Sequence, residues 1–149
     1  MKKLLLLLAA VVCISTTASA QDKGDWAIMP RINIYTAWDA DTVFGIGAAA
    51  RYNGLDPALT LLCHDGCSID LNCDVHYLFP VADRWNLYPL AGISVNDFGD
   101  WSAGINLGAG FDYAVADRWD ITAGLKYMIE THKNWSNPLI ISVGASYRF

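Results

Sequence analysis

Read from its last residue backwards, the chain alternates. Leu139, Ile141, Val143, Ala145, Tyr147 and Phe149 share one parity, and Ile140, Ser142, Gly144, Ser146 and Arg148 share the other. The segment before it sets Ile121, Ala123, Leu125, Tyr127 and Ile129 against Asp120, Thr122, Gly124, Lys126, Met128 and Glu130. Further back, Ala103, Ile105, Leu107, Ala109 and Phe111 stand against Gly104, Asn106, Gly108, Gly110 and Asp112. A period of two is that of a strand with two unlike faces. Carried to the front, the pattern predicts eight strands, over residues 26–38, 43–52, 58–64, 67–81, 85–96, 101–115, 119–132 and 138–149. Turn-forming residues separate them: Asp39-Ala40-Asp41, Asn53 to Pro57, Asp65-Gly66, Ala82-Asp83-Arg84, Asn96 to Asp100, Ala116-Asp117-Arg118 and Lys133 to Asn137. No helical period and no linker interrupts the meander.

The tryptophans decide which way the apolar faces point. Trp26, Trp85 and Trp119 lie at the beginnings of odd-numbered strands, and Trp38, Trp101 and Trp135 at the opposite ends. An up-and-down meander gathers three at each rim. The run from Trp26 to Trp38, at about 3.3 Å per residue and a tilt near 40°, gives roughly 30 Å of height. Two aromatic girdles around an apolar band of about 25 Å are the marks of a transmembrane barrel. Indole suits the headgroup level because it joins an apolar body to one N–H donor. The fold expected is an eight-stranded antiparallel up-and-down transmembrane β-barrel, all β.

The other face then lines a lumen. It carries Arg31, Arg51, Asp70, Asp74, His76, Asp112, Lys126, Glu130 and Arg148, spaced by small residues such as Gly45, Gly47, Ala49, Gly104, Gly108 and Gly110. Charges of both signs between small spacers suit a barrel of eight strands, which side chains can fill. Arg31, Arg51, Lys126 and Arg148 are expected to pair with Asp70, Asp74, Asp112 and Glu130. Closure also satisfies every backbone polar group, as lipid demands.

Composition adds the compartment. Met1-Lys2-Lys3, an apolar run through Ile14 and Ala18-Ser19-Ala20 make a secretory signal peptide over residues 1–20, leaving residues 21–149 as the barrel domain. The apolar run is short of the roughly 20 residues a spanning helix needs. Cys13 raises a lipoprotein reading, but Val12 is larger than the small residue a lipobox wants. The formal net charge is −5 and grows more negative once Lys2 and Lys3 are removed, which argues against nucleic acid as a partner.

Three sites invite chemistry. Cys63-His64-Asp65-Gly66-Cys67, with Cys73 and His76 nearby, has metal-ligand residue types, but Cys73 and His76 fall on opposite faces. A cross-strand disulfide between Cys63 and Cys67 is the better reading in an oxidising compartment, and no metal or cofactor is expected. Glu130, His132, Ser136 and Asn137 are similar to the His and Ser-Asn of outer-membrane lipid A deacylases. The His-to-Ser spacing here does not promise the hydrogen-bond reach a nucleophile and its base need, so no catalytic residue is assigned. Lumen charges could instead line a narrow porin-like transport or ligand-binding path, although an eight-stranded interior is nearly filled.

The C-terminal run Ser142-Val143-Gly144-Ala145-Ser146-Tyr147-Arg148-Phe149 carries the specific signal. Gly144, Tyr147 and Phe149 resemble the β-signal that outer-membrane assembly machinery reads. With "HYLFPVADRWNLYPLAG" and "AGINLGAGFDYAVADRW", the chain resembles small outer-membrane β-barrels of the outer-membrane protein A, opacity-protein and porin-like type. That resemblance implies a monomeric barrel in the outer membrane of a Gram-negative-type bacterium, exported through the Sec pathway. It implies outer-membrane lipid, lipopolysaccharide and the assembly machinery as partners, and a structural, envelope-integrity role. The long extracellular loops usual in the family are absent here. The repeat Val81–Trp85 and Val115–Trp119 then reads as two short turns at the periplasmic rim. Pro80 and Pro89, each lacking a ladder donor, are expected near that rim or at bulges.

Overall fold

The computed structural model describes residues 26–37, 40–64, 66–98, 100–131 and 137–149, the side chains of 40, 41 and 64 excepted. The predicted signal peptide, Trp38, His132, Trp135 and Ser136 lie outside the described residues. Among the described residues nine strands follow in order: β1 (Ala27–Ala37), β2 (Ala40–Arg51), β3 (Leu55–His64), β4 (Gly66–His76), β5 (Phe79–Ala82), β6 (Trp85–Asn96), β7 (Ser102–Ala116), β8 (Trp119–Glu130) and β9 (Leu139–Arg148). Each pairs antiparallel with its neighbour; β1 pairs with β9, and both β4 and β5 pair with β6. β4 and β5 are therefore two pieces of one stave, and the sheet closes as an eight-staved barrel.

The ladders also fix the slant. Sideways steps from Arg31 run one way over Gly47, Thr60 and Asp70 to Asn96. The other way they run over Gly144, Thr122 and Asp112 to Asn86. Both routes end on β6, ten residues apart. That stagger is the shear that closure demands, and it goes with strands tilted about 35–45° from the barrel axis.

Alternation sorts the wall as the sequence predicts. Ile46, Ile93 and Ile32 stand 68%, 63% and 59% exposed on the outside, while Asn33, Thr60, Asp70, Asn96 and Asn106 are buried inside. This inversion of the usual soluble pattern places the apolar surface against lipid. Trp26, Trp85 and Trp119 sit at the rim that also holds Phe149, and Trp101 sits at the other.

Three boundaries differ from expectation, the first being the start of β2, which lies at Ala40 rather than at residue 43, so that Ala40 and Asp41 of the predicted turn belong to the strand. The stave predicted as one strand over 67–81 is broken at Tyr77 and Leu78. Tyr77 N–H donates to the Pro89 carbonyl at 3.3 Å. In an antiparallel ladder a residue's N–H and C=O face the same neighbour, so Pro89, lacking an N–H, cannot return the second bond. The turn predicted over Asn53 to Pro57 is shorter. Asn53 and Gly54 both have positive φ (49° and 82°), and Tyr52 and Leu55 exchange two 2.9 Å backbone bonds across them. That is the Asn-Gly hairpin turn whose twist matches the strands, and β3 starts at Leu55. The β2–β3 ladder stops at Ala49↔Ala58, one residue before Pro57, so the missing donor falls at a ladder's end.

Candidate functional site

The lumen holds the polar chemistry, and every charge predicted to face it does so. Near the rim that carries the chain's C-terminus, Arg51 donates to Asp112 at 2.6 Å, lies 3.5 Å from Asp56 and stacks over the Tyr88 ring at 5.0 Å. Tyr88 and Thr122 share a 3.0 Å hydrogen bond, and His76 packs edge-on to Tyr88. Arg148 pairs with Asp120 at 3.1 Å, the more exposed of these ion pairs. At mid-height Asp74 accepts from Lys126 at 3.0 Å and from Asn106 at 2.9 Å. Arg31 donates to Asn72 at 3.3 Å and lies 4.0 Å from Asp56. Higher still, Asp70 accepts from Tyr35 at 2.6 Å and from Asn72 at 3.2 Å, and Glu130 accepts from Asn96 at 3.1 Å.

Two of the expected pairings form, Arg51–Asp112 and Lys126–Asp74. The others are corrected. Arg31 faces Asp56 and Arg148 takes Asp120, neither of them among the four carboxylates expected. Asp70 and Glu130 lie in the upper half of the lumen and are served by the neutral donors Tyr35, Asn72 and Asn96. Asp56 escaped the sequence reading because it was assigned to a turn. Its even parity, shared with Ala58, Thr60 and Leu62, is the signal that would have found it. Tyr35 and Tyr88 were hidden because aromatics read as wall residues on an apolar outer face.

Above the polar layers the lumen turns apolar. Tyr35, Val43, Leu62, Phe98, Met128 and Ile140 form one buried cluster at the far rim. Phe98, from the β6–β7 connection, meets Tyr35 edge-on at 5.7 Å. Within the ion-paired part of the lumen, a cavity of about 20 Å³ is bordered by Arg31, Arg51, Asp56, Tyr88, Gly124 and Gly144, room on the scale of a single water molecule. Glycines make the filling possible. At Gly92 a Cβ would run into the Asp74 carboxylate, at Gly108 into Lys126, and at Gly144 into the β1 backbone.

At the rim carrying Phe149 the aromatics run in touching groups. Trp26 stacks on Tyr52 at 4.6 Å, Tyr77 meets Phe79 at 4.5 Å and Trp85 meets Tyr113 at 4.7 Å; Trp119 meets Tyr147 at 4.9 Å. Gly144, Tyr147 and Phe149 lie on the closing stave. Gly144 sits opposite Arg31, Tyr147 touches Phe149, and Phe149 N–H donates to the Trp26 carbonyl at 2.9 Å. These contacts give the three a packing role at the seam. Cys63 and Cys67 are directly opposed across β3 and β4, with Gly66 at φ 146°, as expected. The expected disulfide is nevertheless not formed, and both are exposed free thiols, as is Cys73. Opposed strand positions place Cβ atoms about 4.5–5.5 Å apart, wide of the roughly 3.5–4.5 Å of a disulfide. Among the described residues no group of three or more His, Cys, Asp or Glu is placed to hold a metal.

A closed barrel with an apolar outer wall, aromatic rims and a polar interior is a transmembrane β-barrel. The chain belongs to the outer membrane protein beta-barrel domain family, which it matches over residues 4–149. Solved structures agree in fold. The N-terminal β-barrel domain of Pseudomonas aeruginosa OprF is 18% identical over 87% of this chain and 100% of its own, with a TM-score of 0.60. Ail, the attachment invasion locus protein of Yersinia pestis, is 17% identical over 86% and 100%, TM-score 0.59. Neisserial surface protein A is 22% identical over 85% and 98%, TM-score 0.57. Among curated proteins none matches the chain.

Proposed function

We propose that this outer-membrane barrel is a non-catalytic, structural component of the envelope whose lumen is a plug rather than a conduit. The supporting observation is the set of buried ion pairs across the lumen. Arg51 is locked between Asp112 and Asp56, Lys126 is held by Asp74, and the cavity among these layers has only about 20 Å³. Opening a path means desolvating or separating buried ion pairs, which costs several kcal/mol per ion. On this reading the barrel is a monomer after Sec-dependent export. Its apolar wall meets lipid and the lipid anchor of lipopolysaccharide, its Phe149 rim faces the periplasm, and its last strand is read by the assembly machinery. Planar-bilayer recording tests the plug: refolded protein should give no steady conductance, and reproducible single-channel steps would replace it with a transport function.

A further inference from the structure

The pentapeptide Val-Ala-Asp-Arg-Trp, present twice, takes one geometry in both copies. Its valine is an extra residue in the ladder. Val81 lies between the Pro80↔Asn86 and Ala82↔Trp85 pairs, and Val115 between Ala114↔Asp120 and Ala116↔Trp119. Asp and Arg make a two-residue turn. The Arg84 carbonyl accepts the Ala114 amide at 2.9 Å, and the Arg118 carbonyl accepts the Arg148 amide at 2.9 Å. The tryptophan then heads the next strand, facing outward. All of this uses backbone, valine and indole. The side chains of Asp83, Arg84, Asp117 and Arg118 are exposed and form no hydrogen bond or ion pair among the described residues.

Turn formation accounts for an aspartate but not for an arginine beside it. Their position supplies a role. The two turns project just beyond the aromatic belt, and in a membrane-embedded barrel that belt marks the headgroup level. Each turn therefore holds one cation next to one anion at the height of lipid phosphates. A headgroup carrying a phosphate and a primary ammonium presents the complementary pair. Guanidinium matches phosphate with parallel N–H bonds, and a carboxylate accepts from the ammonium. A purely anionic headgroup would find the arginine's attraction offset by the aspartate one residue away.

We propose that each Asp-Arg turn seats the headgroup of one zwitterionic, ammonium-bearing phospholipid. Arg84 and Arg118 hold the phosphates, and Asp83 and Asp117 the ammonium groups. The exposed Val81 and Val115, with Trp85 and Trp119, lie against the upper acyl chain. The site rests on the membrane setting of the rim and not on the state of the lumen, so conductance would leave it standing.

Native mass spectrometry of the barrel released from nanodiscs of equimolar phosphatidylethanolamine and phosphatidylglycerol tests it. The wild type should retain up to two phosphatidylethanolamines in preference to phosphatidylglycerol. Arg84→Gln alone should halve the retained lipid, and Arg84→Gln with Arg118→Gln should bring it to background. Asp83→Asn with Asp117→Asn should shift retention toward phosphatidylglycerol. Heat-modifiable migration checks that each variant is folded; a single-turn variant that folds suffices if the double does not. Equal retention of the two lipids by the wild type would overturn the proposal. So would unchanged retention in the arginine variants, or a preference for phosphatidylglycerol indifferent to the aspartates.

Discussion

Asp112 and Asp120 show how depth sets the value of a charge. Asp112 is buried against Arg51, whose guanidinium also leans on Asp56 and Tyr88. Asp120 meets an Arg148 side chain that is 35% exposed. Removing one partner of a buried pair strands the other, at about 3–5 kcal/mol, whereas a partly solvated pair contributes about 0–1 kcal/mol. Asp112→Ala should therefore cost about 3–5 kcal/mol in a urea refolding titration in detergent, and Asp120→Ala about 1 kcal/mol or less. Gly92 and Gly124 make a second contrast. A methyl at Gly92 meets the Asp74 carboxylate that holds Lys126, while at Gly124 the nearest atoms are 3.7 Å away beside the small cavity. Gly92→Ala should cost about 1–3 kcal/mol; Gly124→Ala should be neutral or stabilise by about 0.4–1 kcal/mol. Equal effects in the same titration would show that lumen packing does not discriminate between them. Sequence alone placed Asp112 on the correct face but not beside its partner. Arg51 and Asp112 stand 61 positions apart in the chain yet meet across the lumen, and which residues meet there is set by shear, which alternation does not encode.

At the scale of the element, alternation was nearly sufficient. β6, predicted over 85–96, is found there, and β1, β7, β8 and β9 start and end within two residues of expectation. Apart from β2, which begins three residues early at Ala40, the shortfalls lie at prolines. Proline removes one donor, and whether that breaks a strand depends on which neighbour the missing N–H would face, a property of pairing rather than of one strand's sequence. Pro57 loses nothing because the β2–β3 ladder has already ended. Pro80 stands beside the Val81 bulge close to the Phe149 rim, as expected. Pro89 interrupts the facing stave, since Tyr77 donates to its carbonyl and receives no bond in return. Pro89→Ala restores that donor on an exposed, outward position. The change should heal the gap between β4 and β5, slow amide exchange at Tyr77 and the residues beside it, and add about 0.5–1.5 kcal/mol. Unchanged exchange at Tyr77 would locate the cause of the break elsewhere in the Tyr77-Leu78 segment.

For the molecule as a whole, closure turns two unlike faces into a wall and a filling, and the filling has two layers in series. At one end Arg51, Asp56, Asp112 and Tyr88 tie the lumen with charge. At the other, Tyr35, Val43, Leu62, Phe98, Met128 and Ile140 pack together as an apolar cluster. Arg51 and Asp112 of the first layer were visible in the sequence as polar-face residues, whereas Asp56 was not. The second layer was not, because Val43, Leu62, Met128 and Ile140 break the polar parity and Phe98 comes from a connection. Barriers in series predict a specific outcome. Opening the apolar mouth alone leaves the ion-paired layer intact, and loosening that layer alone leaves a dry apolar constriction that ions do not cross. Phe98→Ala and Tyr88→Ala should each remain silent in planar bilayers, and the double variant should show steady single-channel steps. Phe98→Ala should also destabilise, by about 3–5 kcal/mol, so each protein is first checked for heat-modifiable migration. Conductance from Phe98→Ala alone would mean that the salt-bridged layer does not seal. Silence from a folded double variant would mean that the mid-height contacts of Asp74, Lys126 and Asn106 close the lumen by themselves.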